Sequence, residues 1–281
     1  MRAFTFLARR FVAGETAVDA VDAGRRLHAK GIKATFDLLG EDVLDRETAL
    51  RCAEQNRELL RAIPDGIERN ISIKLTTLGL DVSEDFCLEQ TARILAEAQK
   101  LAGFVRIDME GSKHTQRTLD AFRKLRKDYE NVGIVLQAYL HRTRDDVQEC
   151  VMKGDRVRLC KGAYNEPAEV ALQAMDDIRA NFERCAELLL AKGDYPALAT
   201  HDESLVKHAL EWTSANKVAK ERFEFQMLYG LRPHRWEELV AAGYNFRVYV
   251  PFGTHWFPYF YRRLRERKEN VFFVLRSLLG G

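Results

Sequence analysis

Short apolar runs and longer amphipathic stretches alternate along the whole chain. The apolar runs are four to six residues long, which is typical of buried strands. Eight of them occur at fairly even intervals: Ala34–Leu39, Ile71–Leu75, Val105–Met109, Gly133–Ala138, Arg156–Cys160, Ala197–Thr200, Phe223–Met227 and Phe246–Val250. The pattern therefore predicts eight strands.

The stretches between these runs have helical periodicity. Apolar side chains recur at spacings of three and four residues, which gives each stretch one apolar face. The predicted helices include Glu47–Ala62, Glu84–Leu101, Thr115–Asp128, Pro167–Lys192 and Ser204–Thr213. Residues 1–33 are expected to form a helical segment before the first strand. Within it, Met1–Val12 is interpreted as a structural helix in preference to a helix on a membrane surface.

Alternating strands and helices predict an α/β fold with a parallel sheet, and eight repeats match a closed barrel. No Pro/Gly/Ser-rich linker divides the series, so residues 1–281 are expected to form a single (βα)8 TIM-like barrel domain. The alternative is an open doubly wound sheet. Such a sheet commonly binds dinucleotides with a G-x-G-x-x-G turn. No such turn follows the first run, where Gly40 leads into Glu41 and Asp42.

Strand alternation places many polar side chains inside the predicted barrel. Residues two apart share one face of a strand. The side chains that face inward by this rule are Ser72, Lys74, Arg106, Asp108, Glu110, Gln137, Arg156, Arg158, Glu224, Gln226, Arg247 and Tyr249. Burying these charges is unfavourable unless they pair. Arg106, Glu110, Arg156, Glu224 and Arg247 are therefore assigned to a structural network in the floor and middle of the barrel.

Residues near the carboxyl ends of the strands are the candidates for function, because the active sites of such barrels lie at that rim. The rim candidates are Lys74, Asp108, Gln137, Arg158, Lys161, Thr200, His201 and Tyr249. Lys74 and Asp108 end adjacent strands, which predicts an ion pair between them. The segment Arg158–Tyr164 offers two cations and a glycine, which suit the pyrophosphate of a cofactor.

A basic helix is predicted directly after the last strand, over the rim. Tyr259, Arg262, Arg263 and Glu266 are spaced so that they share one helix face. Two adjacent guanidinium groups can bind a carboxylate through paired charge-assisted hydrogen bonds. An isolated Arg-Arg pair usually marks only a solvated basic helix, but the position at the rim favours a binding site.

Composition narrows the possible partners. The net charge is +2 with acids and bases mixed along the chain, which gives no basic stripe for nucleic acid. No apolar run approaches the roughly 20 residues that span a bilayer. The five cysteines lack CxxC spacing, and Thr200–Glu203 has no second His-rich element to complete a metal site, so neither a disulfide framework nor a bound metal is expected. A cytoplasmic location fits best.

Nine motifs in chain order resemble those of bacterial monofunctional proline dehydrogenases. They are Phe36–Glu41, Ser72–Thr76, Arg106–Glu110, Leu136–Tyr139, Arg158–Tyr164, Ala199–His201, Phe225–Gly230, Arg247–Gly253 and Tyr259–Glu266. The resemblance covers nearly the whole chain. It implies a distorted barrel whose FAD lies across the strand ends, with the closing helix above it.

The resemblance also implies roles for the matching residues. The implied FAD contacts are Met109, Gln137, Arg158, Lys161, Gly162, Ala163, Thr200 and His201. The implied substrate contacts are Lys74, Tyr164, Tyr249, Tyr259, Arg262 and Arg263. Asp108, another residue of the substrate site, and Arg158 are the implied catalytic residues.

The implied reaction is oxidation of L-proline to Δ1-pyrroline-5-carboxylate, with a hydride leaving C5 for flavin N5. The proline nitrogen must be unprotonated, because its lone pair drives the hydride out. The resemblance implies a membrane quinone as electron acceptor, peripheral contact with the inner face of the cell membrane, and a separate pyrroline-5-carboxylate dehydrogenase for the product. Tyr249 favours proline over hydroxyproline, although one pocket contact gives only modest discrimination.

The chain departs from longer relatives in two respects. Few residues precede the first strand, so the helical arm of longer members is expected to be mostly missing. The second catalytic domain of bifunctional members is also absent from this sequence, so the reaction is expected to stop at the imine.

Two other classes of function remain open. A Schiff-base lyase or aldolase could use Lys74 or Lys161 on the same barrel, since a desolvated lysine at a strand end is a common nucleophile. A non-enzymatic ligand-binding barrel is the weaker alternative, because it gives no reason for so many rim residues to suit one reaction. The colour of the purified protein distinguishes the lyase from a flavin-dependent dehydrogenase, since a flavoprotein is yellow and a lyase is not.

Overall fold

Eight parallel strands close into a barrel in chain order in the computed structural model, which describes residues 10–257 and 259. The strands are β1 (Lys33–Leu38), β2 (Asn70–Ile73), β3 (Phe104–Ile107), β4 (Val132–Gln137), β5 (Val157–Cys160), β6 (Ala197–Ala199), β7 (Glu224–Leu228) and β8 (Asn245–Phe252). The barrel closes where β1 pairs in parallel with β8. The predicted barrel is confirmed over the open sheet, and each predicted strand lies within two residues of its observed bounds.

Helices surround the barrel and connect its strands. They are α1 (Ala17–His28), α2 (Arg46–Ala62), α3 (Glu84–Lys100), α4 (Ser112–Arg126), α5 (Thr143–Lys153), α6 (Met175–Lys192), α7 (Glu203–Ala215) and α8 (Pro233–Ala241). Short 3₁₀ helices lie at Leu75–Leu78 and Lys220–Arg222. No helix in this part of the chain combines the length and apolarity needed to cross a bilayer.

Two helix predictions need correction. The predicted helix from Pro167 begins only at Met175, because the preceding residues bond to the loop after β4, where the Leu172 N–H donates to the Tyr139 carbonyl at 2.7 Å. Residues 10–12 form a turn and bend. The first described helix starts after Thr16, whose side chain forms a capping box with Asp19. Residues 1–9 of the predicted first helix lie outside the described residues.

The main apolar core lies between the strands and the helices around them. One set of strand side chains faces this layer and is almost completely buried: Phe36, Ile71, Val105, Ile134, Leu159, Leu198, Phe225 and Val248. Because side chains alternate along a strand, the intervening residues point into the barrel. The apolar layer thus supplies the burial that holds the polar interior in place.

The interior near the amino ends of the strands is an ion-pair network. Arg247 Nε donates to Glu224 Oε1 at 2.8 Å, and Arg247 Nη2 donates to Glu68 at 2.9 Å. The Arg106 and Arg156 guanidinium groups stack on the Phe104 ring, 5.0 and 4.7 Å from its centroid. Burial disfavours the ionised form of Glu224, but the charge and hydrogen bonds of Arg247 lower its pKa to about 2. The predicted structural network is therefore present.

Glu110 does not belong to this network, so its assignment was wrong. It accepts hydrogen bonds from Thr76 N at 3.2 Å and from Thr76 Oγ1 at 2.5 Å. Thr76 follows the carboxyl end of β2, so this contact lies at the rim of the barrel and not at its floor. Strand β3 ends at Ile107, so the alternation of side chains does not extend to residue 110. Burial raises the pKa of the Glu110 carboxyl.

The packing of α1 on β1 predicts that Gly24→Ala destabilises the protein. A Cβ at position 24 would lie 2.6 Å from Phe36 Cζ. Alanine favours a helix by about 1 kcal/mol relative to glycine, but overpacking costs about 1–3 kcal/mol. We expect a net loss of about 1–2 kcal/mol in urea unfolding followed by circular dichroism. Arg26→Ala, on the exposed side of α1, is the control and should stay within about 0.5 kcal/mol. Equal stability of the two variants would contradict this packing.

The floor network predicts that ionised Glu224 contributes to the free energy of unfolding and that Glu224→Gln removes this contribution. The folded pKa of Glu224 lies below its ordinary value of 4.5. Its contribution is therefore complete above that pH and is lost as the pH falls toward about 2. At neutral pH the variant should lose about 3 kcal/mol, because Arg247 is left partly uncompensated. Denaturation midpoints at several pH values measure this effect, and a gap between wild type and variant that does not shrink in acid would refute it.

Candidate active site

A large cavity lies at the carboxyl ends of the strands, with a volume of about 1400 Å³. Typical small-molecule pockets have volumes of roughly 300–1,000 Å³, so this one has room for a large cofactor beside a small substrate. Its walls bring together thirteen residues from the sequence prediction: Lys74, Asp108, Met109, Gln137, Arg158, Lys161, Gly162, Ala163, Tyr164, Thr200, His201, Tyr249 and Tyr259. Arg262, Arg263 and the rest of the predicted basic helix after Tyr259 lie outside the described residues.

The centre of the cavity is organised around the Asp108 carboxylate. Arg158 Nη1 donates to Asp108 Oδ1 at 2.9 Å, and the Tyr249 hydroxyl donates to Oδ2 at 2.7 Å. The same Arg158 nitrogen donates to Ser72 Oγ at 2.9 Å. The Arg158 guanidinium also lies 5.3 Å from the centroid of the Tyr249 ring. Strands β5 and β8 are thereby locked to the end of β3, and the orientations of all three side chains are fixed.

The Lys74 ammonium group lies close to one carboxylate and farther from a second. Its Nζ lies 2.8 Å from Asp37 Oδ1 and 3.9 Å from Asp108 Oδ2. The predicted Lys74–Asp108 pair is thus present but secondary. Burial favours the neutral amine, yet the charges of Asp37 and Asp108 raise the pKa of Lys74 above its ordinary value. Lys74 is therefore an ammonium group and a hydrogen-bond donor in the cavity.

Asp37 is the main residue that the sequence analysis missed. It lies on β1, is 1% exposed, and lines the cavity. Its Oδ2 atom is buried and has no hydrogen-bond partner among the described residues. A signal was present, because Phe36 faces the helices and strand alternation then turns Asp37 inward. Burial raises the pKa of Asp37, and the Lys74 charge opposes that shift.

Tyr249 remains a protonated phenol. Burial and the neighbouring Asp108 and Asp37 charges raise its pKa well above the ordinary value. Its hydroxyl is therefore committed as a donor to Asp108, and its ring forms part of the cavity wall. The cavity wall also carries apolar side chains, which include Met109, Val135 and Met227.

Met109 corrects one detail of the alternation rule. If β3 continued to residue 109, alternation would turn Met109 toward the helices. The strand ends at Ile107, however, and Met109 lines the cavity. The cavity position implied by the family resemblance is therefore the correct one for this side chain.

The opposite end of the cavity gathers two cations on Asp202. Lys161 Nζ donates to Asp202 Oδ2 at 3.0 Å, and Arg179 Nε donates to the same oxygen at 2.9 Å. Burial disfavours ionisation of Asp202, but hydrogen bonds from Lys161, Ser204 and Arg179 hold its pKa well below the ordinary range. Arg179, on α6, was not among the sequence candidates. Arg179 Nη1 also lies 3.0 Å from the Asp176 carboxylate, whose side chain is 95% exposed. Such an exposed pair is weak, so the two cations at this end of the cavity suit a phosphate group.

Thr200 and His201 follow β6 at the same rim. The Leu228 N–H donates to His201 Nε2 at 2.8 Å, so a neutral His201 carries its proton on Nδ1. The Asp202 N–H donates to Thr200 Oγ1 at 3.1 Å. The backbone of strand β7 and of the loop after β6 thus orients both side chains.

Gly162 allows the loop after β5 to pass close to the loop after β4. Its φ is +117°, and a Cβ there would lie 2.3 Å from the Tyr139 ring. Only glycine meets both conditions. This approach presents Lys161, Ala163 and Tyr164 along one wall of the cavity.

One group of possible metal ligands lies away from these residues. Single ligand atoms of Asp42, Asp81 and His114 lie within 4.8 Å of one another. Asp81 already accepts from Arg117 Nη1 at 2.7 Å and contacts His114 Nε2 at 2.9 Å. The Arg117 charge therefore supplies the positive partner of Asp81.

The geometry as a whole suits an aromatic ring system joined to an anionic phosphate group. Cations at one end can bind phosphate, and apolar side chains with Gln137 and Arg158 can border a polar aromatic ring. The Lys74–Asp108–Tyr249 region is left for a small substrate.

Comparison with known proteins agrees with this arrangement. The proline dehydrogenase family model matches residues 20–276. Proline dehydrogenase 1 of Bacillus subtilis (strain 168) is 40% identical over 273 residues, covering 97% of this chain and 90% of that protein. Proline dehydrogenase of Deinococcus radiodurans is 38% identical over 284 residues, covering 98% and 91%.

A solved structure shares the barrel. Proline utilization A (PutA) from Bdellovibrio bacteriovorus, inactivated by N-propargylglycine, superposes with a TM-score of 0.84 at 27% identity. The match covers 92% of this chain and 32% of the PutA chain, so this chain corresponds to about a third of that protein. The family model and the curated relatives confirm the resemblance: the chain belongs to the proline dehydrogenase family and is an oxidoreductase of proline catabolism.

Proposed function

We propose that the chain oxidises L-proline to Δ1-pyrroline-5-carboxylate with FAD as its flavin. The observation that carries this proposal is the hydrogen-bonded cluster of Asp108, Arg158 and Tyr249 beside Lys74, in a cavity whose far end holds Lys161 and Arg179. One end suits a small amino acid, and the other suits a nucleotide phosphate. The proposed catalytic residues are Asp108 and Arg158.

The residues present fit a flavin nucleotide. Lys161 and Arg179 would hold the pyrophosphate, with Gly162 and Ala163 giving it a close backbone neighbour. Gln137 and Arg158 would donate to the polar edge of the ring, and Met109 would pack against it. Thr200 and His201 complete the proposed contacts. When bound, FAD supplies a hydride acceptor, its N5, for the hydrogen on C5 of proline.

The charge balance of the substrate end explains why a further carboxylate-binding group is needed. Lys74 is paired with Asp37 at 2.8 Å, and Arg158 is paired with Asp108 at 2.9 Å. These two cations are already matched by two carboxylates, so an incoming carboxylate requires additional positive charge. Arg262 and Arg263, which follow Tyr259 in the sequence, are the proposed source of that charge.

The tyrosines of the cavity would bind the apolar part of the substrate. Tyr164, Tyr249 and Tyr259 all line the cavity. Tyr249 is held in place by its hydrogen bond to Asp108, so its ring would offer the proline ring a fixed surface. That rigidity favours proline over a ring carrying an extra hydroxyl group, by a modest factor.

The protein's role in the reaction is positioning and protonation control. The substrate amine must be unprotonated for a hydride to leave C5, and matched charges around Asp108 avoid an excess of negative charge that would favour the ammonium form. Fixed side chains on rigid strands would keep C5 over the ring with little loss of entropy at the reacting step.

We further propose that residues 1–281 act as one catalytic domain and that electrons leave to a membrane quinone through peripheral contact with the inner face of the cell membrane. A separate pyrroline-5-carboxylate dehydrogenase would take up the product. The proposed location is cytoplasmic.

The structure disfavours the alternative of a Schiff-base lyase. A lysine nucleophile must be a neutral amine, whereas two carboxylates raise the pKa of Lys74. Lys161 is bonded to Asp202 at 3.0 Å, and Asp202 is ionised. Both lysines are thus better suited to binding anions than to attacking a carbonyl group.

The proposed reaction predicts that L-proline bleaches the purified protein without oxygen. An anaerobic titration that follows the flavin absorption band should lose the band as proline is added, because two electrons move to the ring. Protein that is colourless, or a band that persists with excess proline, would contradict the proposal. Bleaching by another amino acid only would reassign the substrate.

The proposed carboxylate clamp predicts a binding defect for Arg263→Met. Removing one charged partner of a carboxylate should raise KM for proline by about 100-fold. Arg184→Met, at an exposed position of α6, is the matched control and should leave KM unchanged. Steady-state kinetics with an artificial electron acceptor provide the measurement, and an unaltered KM in Arg263→Met would remove the clamp from the mechanism.

A further inference from the structure

The loop between β5 and α6, residues 161–174, lines the cavity with its first six residues, from Lys161 to Glu166. Tyr164 is also the loop's proposed substrate contact. Two residues later, Glu166 reaches away from the loop to another part of the barrel. The Ser112 N–H donates to Glu166 Oε1 at 2.6 Å, and the Ser112 hydroxyl donates to Glu166 Oε2.

Ser112 is the first residue of α4, and this helix lacks a cap of its own. Its N-cap residue is Gly111, which has no side chain to accept a hydrogen bond, and its first turn contains no acidic residue. The free N–H groups and the positive end of the helix dipole favour a carboxylate at this position. Glu166, 54 residues away in sequence, supplies it.

The space at Gly111 matches this contact. A Cβ there would lie 3.4 Å from Glu166 Oε1, so the glutamate occupies the position next to the helix start. The Glu166 carboxylate accepts from both the N–H and the hydroxyl of Ser112, which fixes its orientation. Hydrogen bonds to a charged acceptor are also stronger than those between neutral groups. The loop is thus fixed at this point by a directional contact.

The later part of the loop is fixed separately. The Leu172 N–H donates to the Tyr139 carbonyl at 2.7 Å, and the His141 N–H donates to the Val170 carbonyl at 3.1 Å. Residues 170–172 are therefore tied to the loop after β4. Glu166 instead ties the part of the loop next to Tyr164 to the loop after β3, which also carries Asp108.

We propose that Glu166 is a positioning residue for substrate binding. Its contact with the amino end of α4 holds Tyr164 at a fixed distance from Asp108, across the intervening loop after β4. The inference rests on the proposed function, because it takes Tyr164 as a substrate contact. Glu166 borders the cavity, but both of its carboxylate oxygens accept hydrogen bonds from Ser112. It therefore acts by holding Tyr164 in place relative to Asp108.

Glu166→Gln tests this role in the flavin-loaded protein. The substitution keeps the shape and one acceptor oxygen but removes the charge that the helix end favours. We expect KM for L-proline to rise roughly three- to tenfold with kcat changed less than about twofold, since a looser Tyr164 weakens binding. Glu169→Gln, at an exposed position of the same loop, is the matched control and should behave like wild type.

Hydrogen–deuterium exchange gives a readout that does not depend on substrate. Backbone amides of residues 162–169 should exchange faster in Glu166→Gln than in Glu169→Gln, because the tether no longer suppresses local opening. Ser112→Ala, which keeps the backbone donor and loses the hydroxyl, should give a smaller increase. Exchange equal to that of the control would overturn the tether, even if wild type failed to oxidise proline and the proposed function fell for that separate reason.

A double variant separates positioning from a general structural effect. In a Tyr164→Ala background, Glu166→Gln should cause little further rise in KM, because the residue through which it acts is gone. A full additional rise would overturn the proposal. A lowered melting temperature without any change in KM would overturn it as well, since it would leave Glu166 with a purely structural role.

Discussion

The structure depends on pairing charges inside a parallel barrel. Such barrels normally fill their interior with branched apolar side chains, and unpaired ions there are strongly unfavourable. Here Glu224 and Arg247 neutralise each other at 2.8 Å near the floor, and Arg158 and Asp108 do so at 2.9 Å near the rim. The apolar layer outside the strands makes this polar interior possible, because it provides the burial that drives folding.

The same pairing makes the rim chemically useful. Asp108 accepts from both Arg158 and Tyr249, so its position is set by side chains from two other strands. Lys74 is kept charged by Asp37, which lies on a fourth strand. A site assembled at the ends of five strands of one closed sheet can deform little, and rigidity of this kind is what positioning a small ring against a large cofactor requires.

Much of this could be predicted from the sequence, because the relevant signals are local. Alternation fixed the inward direction of Arg158 and Arg247, and the spacing of apolar runs was sufficient to predict eight strands. The errors come from boundaries and from contacts distant in sequence. Glu110 was misassigned because β3 ends two residues earlier than its apolar pattern suggests. Asp37 was overlooked although alternation supports it, because its partner Lys74 is 37 residues away.

The loop after β5 shows why local sequence alone does not predict the conformation of every segment. Its helical composition predicted a helix from Pro167, yet residues before Met175 are held by bonds to Tyr139 and by Glu166 on Ser112. Local propensity is worth a few tenths of a kcal/mol per residue, whereas a hydrogen bond contributes about 0.5–1.5 kcal/mol. Together with the Glu166 contact, the backbone bonds of Val170 and Leu172 to the loop after β4 outweigh the helical propensity of the segment. These bonds join residues about 30 positions apart in sequence, and they exist only once the barrel has closed.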